Sequence, residues 1–205
     1  MNEMVDVLIT TIGRRSLAQA VIAAGLQSYE NTRTVVIADG PSPRAENIVN
    51  VTNPAAVYHE LPERMGHGGA VKQWWIDSGR ASEFIKFLDD DDWMSPYIVE
   101  EMLPAFDDPQ VAACACPMLS IFTAPHRRTH RIVPGVMMMD RIGSGCLMIR
   151  TAAAQGLDWI HVRGADYIWL KKLLARGPWQ LAHTKRPLYI YNGYRIDTQR
   201  KPYDA

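Results

Sequence analysis

The sequence lacks an excess of charge of either sign, a framework of cysteines and any long apolar run. Lys plus Arg and Asp plus Glu each number 22 in 205 residues, so the formal net charge is zero. That excludes the strongly basic character of a dedicated nucleic-acid binder and leaves only local patches for anionic partners. The three cysteines, Cys114, Cys116 and Cys146, form no C-x-x-C pair, and an odd count argues against a disulfide scaffold. They read as reduced, buried thiols of a cytoplasmic protein. The longest apolar stretch, residues 111–122, is too short to span a bilayer and contains Pro117. Glu3 and Asp6 argue against a signal peptide at the N-terminus. Tandem repeats and low-complexity linkers are also missing. So are the G-x-x-x-x-G-K-[ST] phosphate loop, the G-x-G-x-x-G turn after the first strand, the G-x-S-x-G nucleophile elbow and any Cys/His set with zinc spacing.

What is present is an ordinary globular composition, 47% hydrophobic and 21% charged, in a length that suits one domain with a full core. The most informative stretch is Phe84-Ile85-Lys86-Phe87-Leu88-Asp89-Asp90-Asp91-Asp92-Trp93. A short apolar run of this kind reads as a buried strand. Its acids then fall at the carboxyl end, where open α/β sheets place their ligands. At about 6 Å and an effective dielectric of about 20, each carboxylate pair costs on the order of 2–3 kcal/mol, which a bound cation would relieve. In an extended chain Asp89 and Asp91 face one side and Asp90 and Asp92 the other. Such an all-oxygen pair suits Mg²⁺ or Mn²⁺; the plain alternative is a solvated acidic turn.

In chain order, residues 5–11 predict a strand and 16–28 a helix. Residues 33–38 predict a second strand, closed by the turn Asp39-Gly40-Pro41-Ser42-Pro43. A helix over 44–51, a weaker strand over 55–61 and a helix from Gly66-His67-Gly68-Gly69 to Gly79 follow, then the acidic strand. Ser95-Pro96 reads as the start of a helix running to Phe106. Four alternations of strand and helix are the signature of a doubly wound, mostly parallel sheet flanked by helices. In the second half, 111–122 reads as one strand and His126-Arg127-Arg128-Thr129-His130-Arg131 as a basic hairpin or loop. A Gly143-Ser144-Gly145 loop leads to strand 146–149 and a short helix over 151–155. An amphipathic helix over 166–176 stops at Gly177-Pro178, a last strand covers 188–191, and the end is polar.

The order of these features resembles the family 2 glycosyltransferases. Val7-Leu8-Ile9-Thr10-Thr11 with Leu26-Gln27-Ser28-Tyr29 is similar to that family's opening strand and helix end. Val35-Val36-Ile37-Ala38-Asp39-Gly40 is similar to its I-V-V-D-D-G stretch, residues 84–93 to its F-L-D-x-D-D metal element, and Gly164-Ala165-Asp166 to its E-D element. The departures are Thr10-Thr11 for a proline-containing turn, Ala38 and Ala165 for acids, and Tyr191-Asn192 where many members carry a metal-binding histidine. His183 fits that place less well.

The resemblance implies an α/β fold of the GT-A type in a single domain. Residues 1–110 would form the nucleotide-sugar half, 111–194 the acceptor half and 195–205 a polar tail. It implies a metal-dependent, inverting transfer from a nucleoside-diphosphate sugar, UDP favoured, to an acceptor hydroxyl. Asp91, with Asp89, would hold Mn²⁺ or Mg²⁺; Thr10, Asp39, Arg64, Asp89 and Asp90 would meet the donor, with Lys72 an alternative to Arg64; Asp166 would be the catalytic base. Against these stand plainer roles: a turn residue for Asp39, a helix N-cap for Asp166, a solvated loop for Arg64, and core packing for Trp74 and Trp75. The acceptor stays open among a saccharide, a lipid carrier, a protein and a modified DNA base, with no membrane span. A nucleotidyltransferase and a non-catalytic nucleotide-sugar-binding module are the rival readings.

Overall fold

The computed structural model describes residues 3–124, 127–133, 135 and 142–192. The first half alternates as the sequence predicts: β1 (Val5–Thr11), α1 (Leu17–Gly25), β2 (Thr32–Ala38), α2 (Pro43–Thr52), β3 (Val57–Glu60), α3 (Gly68–Asp77) and β4 (Phe84–Asp89). All seven residues of β1 are buried, the pattern of a central strand covered on both faces. Val5, Val7 and Ile9 enter one core and Leu8 the other, following the two-residue period of a strand. The first core is closed by α1 and α2, the second by α3 through Val71, Trp75 and Ile76. Pro43 in the first turn of α2 and the Ser42 hydroxyl, accepting from the Ala45 N–H at 3.3 Å, start that helix cleanly.

The second half supplies β5 (Trp93–Met94), α4 (Ile98–Met102), a 3₁₀ turn over Leu103–Asp107, β6 (Val111–Ala115), β7 (Met118–Ala124), β8 (Arg127–Val133) and a 3₁₀ turn over Ser144–Cys146. It ends with β9 (Leu147–Arg150), α5 (Thr151–Ala154), α6 (Ala165–Ala175), β10 (Gln180–His183) and β11 (Tyr189–Asn192). The main sheet has seven strands in the order β10-β6-β9-β4-β1-β2-β3. β1 to β4 are mutually parallel, whereas β9 runs antiparallel to both β4 and β6. A second sheet has the order β5-β11-β7-β8.

Three sequence expectations need correction. The apolar run 111–122 is two strands in two sheets, because Pro117 has no N–H for a ladder and breaks it between Cys116 and Met118. The helix after Ser95-Pro96 begins only at Ile98; the Ser95 hydroxyl accepts from the Tyr97 N–H and makes a turn instead of a helix cap. Strands β5 and β10 were not foreseen. The basic stretch does form the edge strand β8, paired with β7, but His126 and the 195–205 tail lie outside the described residues, as do the side chains of Arg127 to Arg131. All three cysteines are buried and free, as their number suggested.

Candidate active site

The carboxyl ends of β1, β2 and β4 form one rim. Thr10 is the register partner of Asp89, and a Cβ on Gly68 would sit 3.0 Å from the Thr10 hydroxyl oxygen. The N-terminus of α3 therefore lies over the end of β1. His67 caps that helix, its Nδ1 accepting from the Ala70 N–H at 3.1 Å.

Extended alternation stops at Asp89. The chain turns there, with the Asp92 N–H donating to the Asp89 carbonyl at 3.1 Å, and the four acids part company. Lys72 Nζ donates to Asp89 Oδ1 at 2.6 Å. Asp90 is buried and turns back to β1, accepting from the Thr11 hydroxyl at 2.6 Å and from Arg14 Nη1 at 2.5 Å. Asp91 lies at the same guanidinium, 3.4 Å from Nη1. Asp92 is buried and accepts from the Tyr189 hydroxyl. Expected pairing of Asp90 with Asp92 on one face is thus replaced by separate protein partners for each.

The repulsion inside the run is met by these cations. Burial opposes charge on Lys72, yet Asp89 and Asp166 raise its pKa above the ordinary value. Desolvation pushes the Asp89 pKa up, but the Lys72 ammonium, with Lys86 and Arg14 behind it, outweighs that and the pKa falls. At Asp90, where Arg14 is the facing cation, desolvation wins and raises the pKa.

Asp166 is the second residue of α6 and half-buried. Its Oδ2 accepts from the Ser144 N–H at 2.9 Å, and the Trp159 side chain is a second hydrogen-bond partner. Burial raises its pKa, with the Lys72 charge pulling the other way. Trp159 stacks on Trp169 with ring centroids 4.4 Å apart and covers Gly69, where a Cβ would collide with the indole. Ser144 also accepts from Lys72 Nζ at 2.7 Å through its hydroxyl. Asp89 and Asp166, 77 residues apart in sequence, are therefore joined through Lys72 and Ser144.

Residues 6–172 match the sequence profile of glycosyl transferase family 2. The chain belongs to that family. A protein named glycosyltransferase EpsH of Bacillus subtilis (strain 168) is 33% identical over 93 residues, which cover 43% of this chain and 26% of EpsH. Among solved structures, S. aureus TarS 1–349 aligns with a TM-score of 0.71 at 13% identity, covering 92% of this chain and 60% of TarS 1–349. The mannosyltransferase PcManGT from Pyrobaculum calidifontis, in complex with GDP-Man and Mn²⁺, aligns with a TM-score of 0.72 at 13% identity, covering 95% of this chain and 58% of its own. The fold of this family 2 domain is GT-A, and it spans less than two thirds of each of these relatives.

Within the family 2 domain the remaining candidates fall as follows. Asp39 directly follows β2, buried, and its two carboxylate oxygens accept from the Met65 N–H at 2.6 Å and the Gly66 N–H at 3.2 Å. It holds the loop before α3. Arg64 in that loop is exposed, its stem against Gly40, which has φ +89°. Trp75 is core, its indole N–H donating to Asp6 at 2.9 Å, and Trp74 and Trp93 pack partly buried against the cores. His183 is on β10, three strands from β4, which removes it as a companion of Asp91. Among the described residues no three His, Cys, Asp or Glu side chains form a group that could hold a metal ion, and no helix is long and apolar enough to cross a membrane. Sequence reasoning missed Arg14, Ser144 and Trp159. Arg14 had one readable signal: it follows the strand end directly in Thr11-Ile12-Gly13-Arg14-Arg15.

Proposed function

We propose that this chain is the catalytic domain of an inverting glycosyltransferase that moves a sugar from a nucleoside-diphosphate donor to an acceptor hydroxyl. The observation that carries the reading is the joining of Asp89 to Asp166 at one rim by Lys72 and Ser144. Residues 1–110 bind the donor and 111–194 present the acceptor. Thr10, Asp39 and the Arg64 loop form the nucleoside side, with Asp39 acting through the backbone it holds. A UDP-sugar is favoured; crystal complexes of TarS are named with UDP and UDP-GlcNAc. Asp90 serves the donor by aiming Arg14 at the rim. Three free, buried thiols fit a reducing cytoplasmic setting.

Asp89 and Asp91 fit a hard divalent ion. Both are oxygen donors at the rim with 38% and 21% of the side chain exposed, and Mg²⁺ or Mn²⁺ is commonly held by one or two carboxylates plus substrate phosphates. When bound there, the ion supplies positive charge to the diphosphate as it leaves. Asp166 accepts the proton of the acceptor hydroxyl while that oxygen attacks the anomeric carbon. The bond to the diphosphate oxygen breaks on the opposite face, so configuration inverts. Ser144 fixes the Asp166 oxygen, and the Trp159–Trp169 stack walls the base from water.

Titration of UDP and GDP with and without Mn²⁺ tests the donor half, and mass spectrometry of products from UDP- and GDP-sugars with saccharide, lipid-phosphate, peptide and DNA acceptors tests the transfer. Metal-strengthened diphosphate binding with transfer supports the reading. Binding with no transfer to any acceptor points to a non-catalytic module, and conversion of a nucleoside triphosphate to pyrophosphate points to a nucleotidyltransferase.

A further inference from the structure

Lys72 is a fully enclosed cation at the junction of the two halves. Its Nζ donates to Asp89 Oδ1 at 2.6 Å and to the Ser144 hydroxyl at 2.7 Å. The Phe87 and Trp159 rings cover it at 5.7 and 5.9 Å from their centroids. Only 4% of the side chain is exposed. An ammonium in such a place has no water to fall back on, so each hydrogen bond it makes is costly to lose.

The Ser144 it holds is itself 2% exposed. While its hydroxyl faces Lys72, its main-chain N–H faces Asp166 at 2.9 Å. The short Ser144–Cys146 turn is pinned again by Lys86, whose Nζ donates to both the Gly145 and the Phe87 carbonyls at 2.5 Å. The turn therefore cannot drift relative to β4 without breaking a bond to one of two buried lysines. Of the two side chains that Lys72 bonds, Asp89 and Ser144, Asp89 is the one exposed enough to meet a ligand directly.

We propose that Lys72 is a positioning residue that couples the donor acid to the base: a diphosphate delivered to Asp89 together with a divalent cation is felt, through Lys72 and the Ser144 hydroxyl, as a change in how firmly the Ser144 N–H holds Asp166. The proposal rests on the donor reading above. Its chemistry is an exchange of partners. A divalent cation brought with the diphosphate would compete with Lys72 for Asp89, so part of the Lys72 charge would be freed to bond Ser144 more strongly, and the base would be fixed when the donor is in place. An enzyme wired this way sets its base only when there is a leaving group to use it, which limits capture of water.

Hydrogen–deuterium exchange of the Ser144 amide, read in the peptide containing it, tests the coupling in the full chain with UDP plus Mn²⁺ and GDP plus Mn²⁺ as probes. In the unaltered protein the nucleotide that binds should slow exchange at that amide by about tenfold, the factor carried by a strengthened charge-assisted hydrogen bond. Ser144→Ala keeps the amide and its bond to Asp166 but deletes the hydroxyl; it should bind the nucleotide within about twofold of the parent, lose the slowing, and lose transfer in kcat by about tenfold. Lys72→Met should lose the slowing too, and Ser144→Ala guards against its simply failing to fold. Equal slowing in Ser144→Ala and parent, or nucleotide binding that leaves the parent amide unchanged, overturns the coupling while the donor reading stands. Failure of both nucleotides to bind the parent overturns the donor reading, and the coupling with it.

Discussion

At the scale of single residues, the four aspartates divide their labour by where the turn after β4 sends them. Asp91 stands at the rim beside Arg14. Replacing it with alanine should abolish the Mn²⁺-dependent part of nucleoside-diphosphate binding while leaving a weaker metal-independent part, as read by calorimetric titration with and without Mn²⁺. Asp166→Asn keeps the size and one acceptor oxygen but cannot take a proton. It should bind donor normally and transfer slower by roughly 10²–10⁴-fold, the usual contribution of a general base; normal transfer would remove Asp166 from that role. Because burial raises the Asp166 pKa above its ordinary 3.8, and the base works only when ionised, the transfer rate should fall as pH drops through that raised value. The acid limb of a kcat–pH profile therefore lies above where an unperturbed aspartate would put it.

At the scale of elements, β4 carries an ionisable group that no reading of its apolar pattern explains. Lys86 is wholly buried, its ammonium over the Tyr189 ring at 5.2 Å and near the Cys116 and Cys146 thiols. Desolvation lowers its pKa from 10.5 to about 8. A neutral amine still has two N–H groups for the Gly145 and Phe87 carbonyls, so losing the proton forfeits no bond. Between about 8 and 10.5 the unfolded chain binds a proton that the folded chain has released, so stability rises with pH across that window. The melting temperature of the parent relative to Lys86→Met should climb over that interval and stay level below it. Strands β1, β2 and β4 were legible because each is a mainly apolar run ended by a turn signal. β5 has two residues, too short for any period to show, and β10 reads Gln180-Leu181-Ala182-His183, with only two apolar residues and no buried face to give it away. The acids of the candidate site could be placed at a strand end for the same reason as β4, since they stand at its end. Their partners were not: Lys72 sits in a helix and Ser144 in a glycine loop 72 residues later, and only the reversed direction of β9 brings them together.

At the scale of the whole molecule, the two ends of the sheet do different work. At the amino end, buried Asp6 accepts from Arg33, from the Trp75 indole, and from both the N–H and the hydroxyl of Ser82. These bonds tie β1 to β2, α3 and the approach to β4. Asp6→Ala leaves Arg33 without its carboxylate and should cost roughly 3 kcal/mol in denaturant unfolding, the low end for a broken buried pair because Arg33 stays partly solvated. Activity per folded molecule should hardly change, since the rim lies at the other end of the strands. β9 pairs Met148 with Lys86 and Ile149 with Ile85, and Ser144 stands a fixed number of residues before that ladder. Deleting one residue from β9 would slide the serine by about 3.3 Å and flip alternate side chains through the sheet. In descendants of this chain the few residues that clip β9 to β4 thus act as a ratchet that evolution must leave in step.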